Sequence, residues 1–264
     1  MTGPVRNPWL PRSPSPSATA RVFCLPYSGT GAGLYRNWPR ERDGVDFLPI
    51  ELPGHESRFA EPPAATYQEL AKAMADGLRR WLDVPYAFFG HCWSANLAYE
   101  ATLELASGPA PVRLFSSSQV APQEGPYGRM LAMDDTELAA EMTEMIINLG
   151  GVPQHDFVEL YTEVLRADLE IIRRYVRPDP PRVPCPITAI GWTEDTEVTP
   201  GQMKGWTACG ETTFTVLDGR HMTFAEAPAA LIDLLATIRT GGLSESTATA
   251  VVPDGRESGR HDET

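Results

Sequence analysis

Tyr86-Ala-Phe-Phe-Gly-His-Cys-Trp-Ser-Ala-Asn-Leu-Ala-Tyr-Glu-Ala101 decides how this chain is read. Tyr86 to Phe89 is an apolar and aromatic run of the length of a short buried strand. Small residues Gly90, Ser94 and Ala95 then bracket a reactive one, and Asn96 to Leu105 continues with helical character. Strand, sharp turn and helix in that order make the setting of a nucleophile elbow, usually written G-x-S-x-G. Here the central position holds Cys92, and Ser94 stands where the last glycine would be. Small flanking residues are needed because the strained turn brings strand and helix almost into contact. A nucleophile placed there sits at the positive end of the helix. That end favours a thiolate and aims a backbone N–H at developing negative charge. The plainer reading is a structural cysteine between two core elements, so the rest of the chain must choose.

Upstream, Arg21-Val-Phe-Cys-Leu25 reads as a strand that runs into the glycine-rich Pro26-Tyr-Ser-Gly-Thr-Gly-Ala-Gly33 and a helix around Leu34 to Trp38. The loop contains neither G-x-x-x-x-G-K-[ST] nor G-x-G-x-x-G, which weakens a phosphate-gripping role. Supplying a backbone N–H to an oxyanion hole fits it better, with a plain tight turn as the structural alternative. Val45 to Leu52 is the next strand, closed by Pro53-Gly54 and an ordered surface loop. Thr66 to Trp81 carries Leu70, Met74, Leu78 and Trp81 as a helical stripe behind a Thr66-x-x-Glu69 capping box.

Downstream, Val112 to Ser116 reads as a strand flanked by Pro111 and a serine run. Strands alternating with helices at this spacing imply an α/β fold, a mostly parallel central sheet flanked by helices. The alternation breaks from about Glu124 to Tyr175, where two amphipathic helices follow each other without a strand. Their apolar stripes serve equally well as core contacts or as a helical lid insertion, spanning about 124–178, over the elbow. Met142, Met145 and Ile146, with Met222 further on, are candidates for a flexible apolar acyl pocket. The sheet resumes at Pro186-Ile-Thr-Ala-Ile-Gly191, and Thr199-Pro200 opens a short helix. Thr213 to Leu217 is the last strand, Asp218-Gly-Arg-His-Met222 the loop beyond it, and a helix over Pro228 to Ile238 closes the domain.

Residues 1–20 carry five prolines among polar neighbours and read as a disordered tail, and 241–264, rich in Ser, Thr, Gly and charge, as another. Between them, 21–240 is one domain. The 264 residues hold 22 basic and 35 acidic side chains, a net charge of −13, which disfavours nucleic acid and anionic membranes as partners. Cys24, Cys92, Cys185 and Cys209 are widely spaced and form no C-x-x-C pair, which suggests reduced thiols and a cytoplasmic location. No apolar run reaches the ~18 residues of a membrane span, and the N-terminus has no signal-peptide core.

A thiol nucleophile needs a base, and the base an orienting carboxylate. After Cys92 the sequence offers an acidic loop beyond the strand ending at Gly191, then His221 beyond the last strand. Each lies just past the C-terminal end of a proposed strand, the edge where parallel sheets build their sites. Of the five histidines, His261 is in a tail, His155 in the insertion and His91 is fixed beside the nucleophile; only His55 competes with His221. Asp195 leads as the acid over Glu194, Glu197 and Asp218, the last of which precedes His221 too closely to reach round its ring.

Taken together, Leu25-Pro-Tyr-Ser-Gly29, Glu51-Leu-Pro-Gly-His-Glu-Ser-Arg-Phe59, Gly90-His-Cys-Trp-Ser94, Leu165-Arg-Ala-Asp168, Glu194-Asp195 and Gly219-Arg-His221 resemble type II thioesterases. These are the free-standing α/β-hydrolases that serve polyketide synthases and nonribosomal peptide synthetases, and the likeness covers about residues 21 to 240. The resemblance implies an acyl group on a phosphopantetheine arm as substrate, an acyl or peptidyl carrier protein as partner, a monomer, and no cofactor or metal. It implies Cys92 as nucleophile, His221 as base and Asp195 as acid, with the backbone N–H groups of Tyr27 and Trp93 as the oxyanion hole. The family has Ser at position 92 and Gly at 94, so this chain departs from it at both. An acyl-cysteine remains a thioester, so transfer to another thiol or to an amine stands beside hydrolysis. A non-catalytic carrier-binding protein is the reading from another class, and the retained Asp195 and His221 weigh against it. Carrier proteins are typically acidic, as is this chain, so docking is expected to rest on apolar lid contacts and on arginines such as Arg129, Arg173 and Arg174.

Overall fold

The computed structural model describes residues 7–240. Strand β1 is Ala20–Cys24, β2 the two-residue Glu41–Arg42, β3 Val45–Pro49 and β4 Tyr86–His91. Helix α1 is Tyr67–Leu78 and α2 Trp93–Glu104; β5 is Arg113–Ser117. Helices α3, Asp135–Asn148, and α4, His155–Arg174, lead to β6, Ile187–Trp192, β7, Thr212–Leu217, and α5, Ala229–Ala236. The strands form one seven-stranded sheet in the order β2-β3-β1-β4-β5-β6-β7, parallel throughout except for the β2–β3 pair. Every residue of β1, β4 and β6 is buried, so the middle of the sheet is covered on both faces, which is why these stretches read as continuous apolar runs rather than alternating ones. β7 lies at an edge and exposes Phe214 and Val216. This is the α/β arrangement expected from the alternation of strands and helices.

Local chemistry accounts for the element ends. Thr66 caps α1 by accepting the Glu69 N–H at 3.1 Å, while the Glu69 carboxylate returns to the Ala65 N–H at 3.2 Å. Helix α2 is buried from Trp93 to Thr102, a helix packed on all sides against α1, β4 and β5. The stretches after Gly31 and Thr199 are 3-10 turns rather than α-helices.

The expected N-terminal tail is corrected for residues 7–19, which lie folded along the domain. Trp9 and Leu10 are buried, and the Arg58 guanidinium stacks 4.5 Å from the Trp9 ring centroid. Gly77 makes room for them: a Cβ there would stand 2.1 Å from the Trp9 ring. Arg12 and the Ser15 N–H both reach the buried Asp46 carboxylate, at 2.5 and 2.7 Å. The prolines disfavour helix and strand here, and the segment instead makes turns closed by the Leu10 N–H to the Asn7 carbonyl and the Ala18 N–H to the Ser15 carbonyl. The proposed tail at 241–264 lies outside the described residues, as do residues 1–6.

Between β5 and β6, α3 and α4 run without an intervening strand. Asp134 caps α3 through the N–H groups of Thr136 and Glu137. The end of α4 is fastened to α2, where Tyr175 and Arg177 converge on the buried Glu100 carboxylate at 2.8 to 2.9 Å.

Candidate active site

Gly90 closes β4 against α2 so tightly that a Cβ would come within 2.3 Å of the Ser94 carbonyl oxygen. Only glycine fits, and the strand–turn–helix is compressed as an elbow requires. Cys92 occupies the turn with φ 56 and ψ −133, a backbone conformation that L-residues rarely adopt, and serves as the N-terminal flank of α2. Its own N–H donates to the Ser117 carbonyl at 2.8 Å, which ties the turn to β5. Ser94, in place of the usual glycine, folds its hydroxyl back into the elbow. It accepts the His91 N–H and donates to the His91 carbonyl, both at 3.0 Å. The extra hydroxyl is thereby satisfied locally and stays out of the site.

His221 follows β7 and Asp195 follows β6, so adjacent strand ends bring them together. His221 Nδ1 lies 2.9 Å from Asp195 Oδ2. Asp195 is also held by Ser118 Oγ at 2.7 Å and by the N–H groups of Glu197 and Val198 at 2.8 and 3.0 Å. Burial alone would make this carboxyl harder to ionise, but the hydrogen bonds from His221, Ser118 and Val198 hold it well below the usual carboxylate range. Nδ1 thus carries its proton toward Asp195, and Nε2 points the other way, buried and with no hydrogen-bond partner among the described residues. Burial disfavours the charged ring. The hydrogen bond to Asp195, the neighbouring Cys92 sulphur and the charge of Glu197 overcome it and raise the pKa of His221 to about 10. Glu197 approaches Nε2 to 3.9 Å.

The other three cysteines are buried with their thiols pushed up by desolvation, Cys185 to about 11, Cys209 to about 12 and Cys24 well above its ordinary value. Cys92 is the most exposed of the four, at 8%. The Tyr27 carbonyl accepts from both the N–H and the hydroxyl of Thr30, a turn with Gly29 at φ +70. Among the described residues, the N–H groups of Tyr27 and Trp93 donate to no other protein group. Trp93 is the first residue of α2, where backbone donors have no helical acceptor. Its ring is buried against Tyr67.

His55, the competing histidine, is engaged elsewhere: its Nε2 lies 3.3 Å from Asp168. His91 stacks on Phe224 with ring centroids 3.9 Å apart, and burial, then the charge of His221, keeps its pKa well below the ordinary value. Glu194 faces Arg220 at the surface and Asp218 is exposed, so neither competes with Asp195. Ser118, which fixes Asp195, went unassigned in the sequence; its only mark is that it directly follows a strand of the same sheet edge.

A cavity of about 760 Å³ beside the site is lined by residues from 126–131 with Glu141, Glu144, Thr196 and Glu197. None of Met142, Met145, Ile146 and Met222 lines it. Met142 is buried in the core against Gly29, while Met145 and Met222 pack half-buried on the core. The apolar stripe of α3 faces the domain, and the flank beside it that carries Glu141 and Glu144 lines this cavity. The expected basic contacts differ as well. Arg129 pairs with Glu141 and Glu197, and Arg173 and Arg174 both pair with Glu170. Among the described residues, no group of three His, Cys, Asp or Glu could hold a metal ion. No described helix is long and apolar enough to cross a membrane.

Residues 20–238 match the thioesterase domain family. The chain is 29% identical over 234 residues to the gramicidin S biosynthesis protein GrsT of Aneurinibacillus migulanus, covering 83% of this chain and 88% of that one. Among solved structures it is similar to the type II thioesterase BorB from the borrelidin biosynthetic cluster, at 27% identity and TM-score 0.75, covering 90% of this chain and all of that one. It is also similar to RedJ, the thioesterase from the prodiginine biosynthetic pathway in Streptomyces coelicolor, at 32% identity and TM-score 0.70, covering 91% and 96% of the two chains.

Proposed function

The chain belongs to the thioesterase domain family, and from that premise we propose that it cleaves acyl thioesters on the phosphopantetheine arm of a carrier protein, as a monomer, through an acyl-cysteine on Cys92. The observation that carries this reading is Cys92 in the strained elbow beside a His221–Asp195 pair at 2.9 Å. Relatives named for the biosynthesis of gramicidin S, borrelidin and prodiginine support a carrier-bound substrate in secondary metabolism.

In this reading the Cys92 sulphur attacks the thioester carbonyl carbon while His221 is an imidazolium. The carbonyl oxygen takes up negative charge toward the N–H groups of Tyr27 and Trp93. Collapse breaks the bond to the pantetheine sulphur, which leaves with the His221 proton. Once acylated, the Cys92 sulphur no longer raises the basicity of the ring. Burial, the strongest influence on His221, then favours the neutral base. That base takes a proton from water as its oxygen attacks, and the second collapse returns the Cys92 thiolate, with His221 again protonated.

Cys92 itself favours a second reading, acyl transfer to another carrier thiol or to an amine. An acyl-cysteine is close in energy to the thioester that formed it, whereas an acyl-serine has already lost part of that activation. Intact-protein mass spectrometry with acyl-pantetheine substrates tests both. A mass increase of one acyl group is expected on the wild-type protein and none on Cys92→Ala, and iodoacetamide should label Cys92 ahead of the other cysteines. Full activity in Cys92→Ala overturns the nucleophile. Faster loss of the adduct to an added thiol or amine than to water favours transfer.

A further inference from the structure

Three of the stretches that carry the family resemblance lie outside the triad: the one ending at Gly29, the one around His55, and Leu165 to Asp168. They meet at one carboxylate. Asp168 sits within α4 and is only 2% exposed. Its Oδ2 accepts the Gly29 N–H at 2.8 Å and lies 3.3 Å from His55 Nε2. The other ring nitrogen of His55 is 3.0 Å from the Pro53 carbonyl, which can only accept. Nδ1 is therefore a donor, and the Nε2 contact with Asp168 adds a second proton to the pair. Burial opposes a charged ring, but the charge and hydrogen bond of Asp168 outweigh it and raise the pKa of His55. The contact is a buried histidine–carboxylate pair that favours the charged ring.

Buried ion pairs are weak sources of stability, because desolvation cancels most of the attraction. What distinguishes this pair is where it ends. Gly29 stands in the turn whose first residue is Tyr27, the oxyanion-hole donor. With φ +70 it has little tolerance for a side chain, and a Cβ would meet Leu165 Cβ at 3.0 Å and Met142 Sδ at 3.1 Å. The turn is therefore pressed by α3 and α4 from one side and hydrogen-bonded to α4 through Asp168.

We infer that Asp168 is a positioning residue for the oxyanion hole, holding the Tyr27–Thr30 turn from within α4 so that the Tyr27 N–H faces the oxygen of the transition state. This rests on the roles of Cys92 and Tyr27 proposed above. It also makes α4 part of the catalytic frame rather than of a movable cover.

The test uses the full chain and a short acyl-pantetheine thioester. Asp168→Ala should lower kcat about ten- to hundredfold, less than or equal to the loss of a whole oxyanion donor, with KM within about twofold. Asp168→Asn, with its amide oxygen in the place of Oδ2, keeps the one acceptor that the Gly29 N–H and the His55 Nε2 N–H share, so it should recover most of kcat. Alkylation of Cys92 by iodoacetamide develops no oxyanion, and its rate should be the same in all three proteins. Alkylation falling in parallel with turnover, an Asn variant as slow as Ala, or an Ala variant within twofold of wild type each overturns the inference. Should Asp168→Ala not fold, the wild-type protein decides: the Gly29 amide should exchange with solvent as slowly as the sheet, and exchange at an unprotected rate overturns the inference. Cys92→Ala, assayed alongside, separates the two readings, since turnover in that variant removes the nucleophile and leaves the Asp168 comparison legible.

Discussion

At position 92 the sulphur is one of the neighbours that raise the basicity of His221. The folded-state pKa of His221, about 10, lies above its ordinary 6.5. Its protonation therefore stabilises the fold fully below pH 6.5, and that stabilisation is lost as pH rises through about 10. In Cys92→Ala the contribution of the sulphur disappears. The His221 ring should then titrate at lower pH, and the fall in stability between pH 6.5 and 10 should shrink. Ring-nitrogen NMR shifts and urea unfolding at the two ends of that range check this, and an unchanged titration would show that the sulphur does not act on the ring. Cys92, Asp195 and His221 were legible because chain order and strand ends leave few competitors for each. Ser118 was not: it acts from a left-handed backbone at φ 46, and a serine after an apolar strand carries no mark of what it will face. His55 stands in the loop after the second strand and so competes as a base in the sequence; its partner, Asp168, lies 113 residues further along the chain, beyond the reach of any local pattern.

Helices α3 and α4 were legible as a strandless insertion from their apolar period, but that period does not say which side meets substrate. The stripe on α3 turned out to face the core, while the flank beside it that carries Glu141 and Glu144 lines the cavity. What remains outward at the turn between the helices is Ile147, Val152 and Phe157, each more than half exposed. With Arg129, Arg173 and Arg174 paired internally, these apolar side chains are the better candidates for docking a carrier. Changing Ile147 and Phe157 to Ser together should raise KM for an acyl-carrier protein at least about fivefold, about 1 kcal/mol. KM for a short acyl-pantetheine should stay within about twofold, and binding should respond little to salt. Equal effects on the two substrates would place these side chains in the acyl path instead.

For the molecule as a whole, the sheet and its direction followed from strands alternating with helices, whereas the N-terminal segment did not. Proline content argued for disorder, and the signal against it was a single Trp-Leu pair within an otherwise polar run. Trp9→Ala removes the ring held between Arg58 and Gly77 and should cost about 3 kcal/mol in urea unfolding, with kcat unchanged. A loss below about 0.5 kcal/mol would show that the segment is not anchored by this ring. The residues of the site come from the ends of β1, β4, β5, β6 and β7, five neighbours in the sheet that span Tyr27 to His221 along the chain. No stretch of the polypeptide short of nearly the whole domain holds a complete set, so non-local strand pairing must finish before any turnover begins. During refolding, the return of thioester cleavage is a clock for the last of those pairings, and a nascent or truncated chain is silent until the final strand is in place.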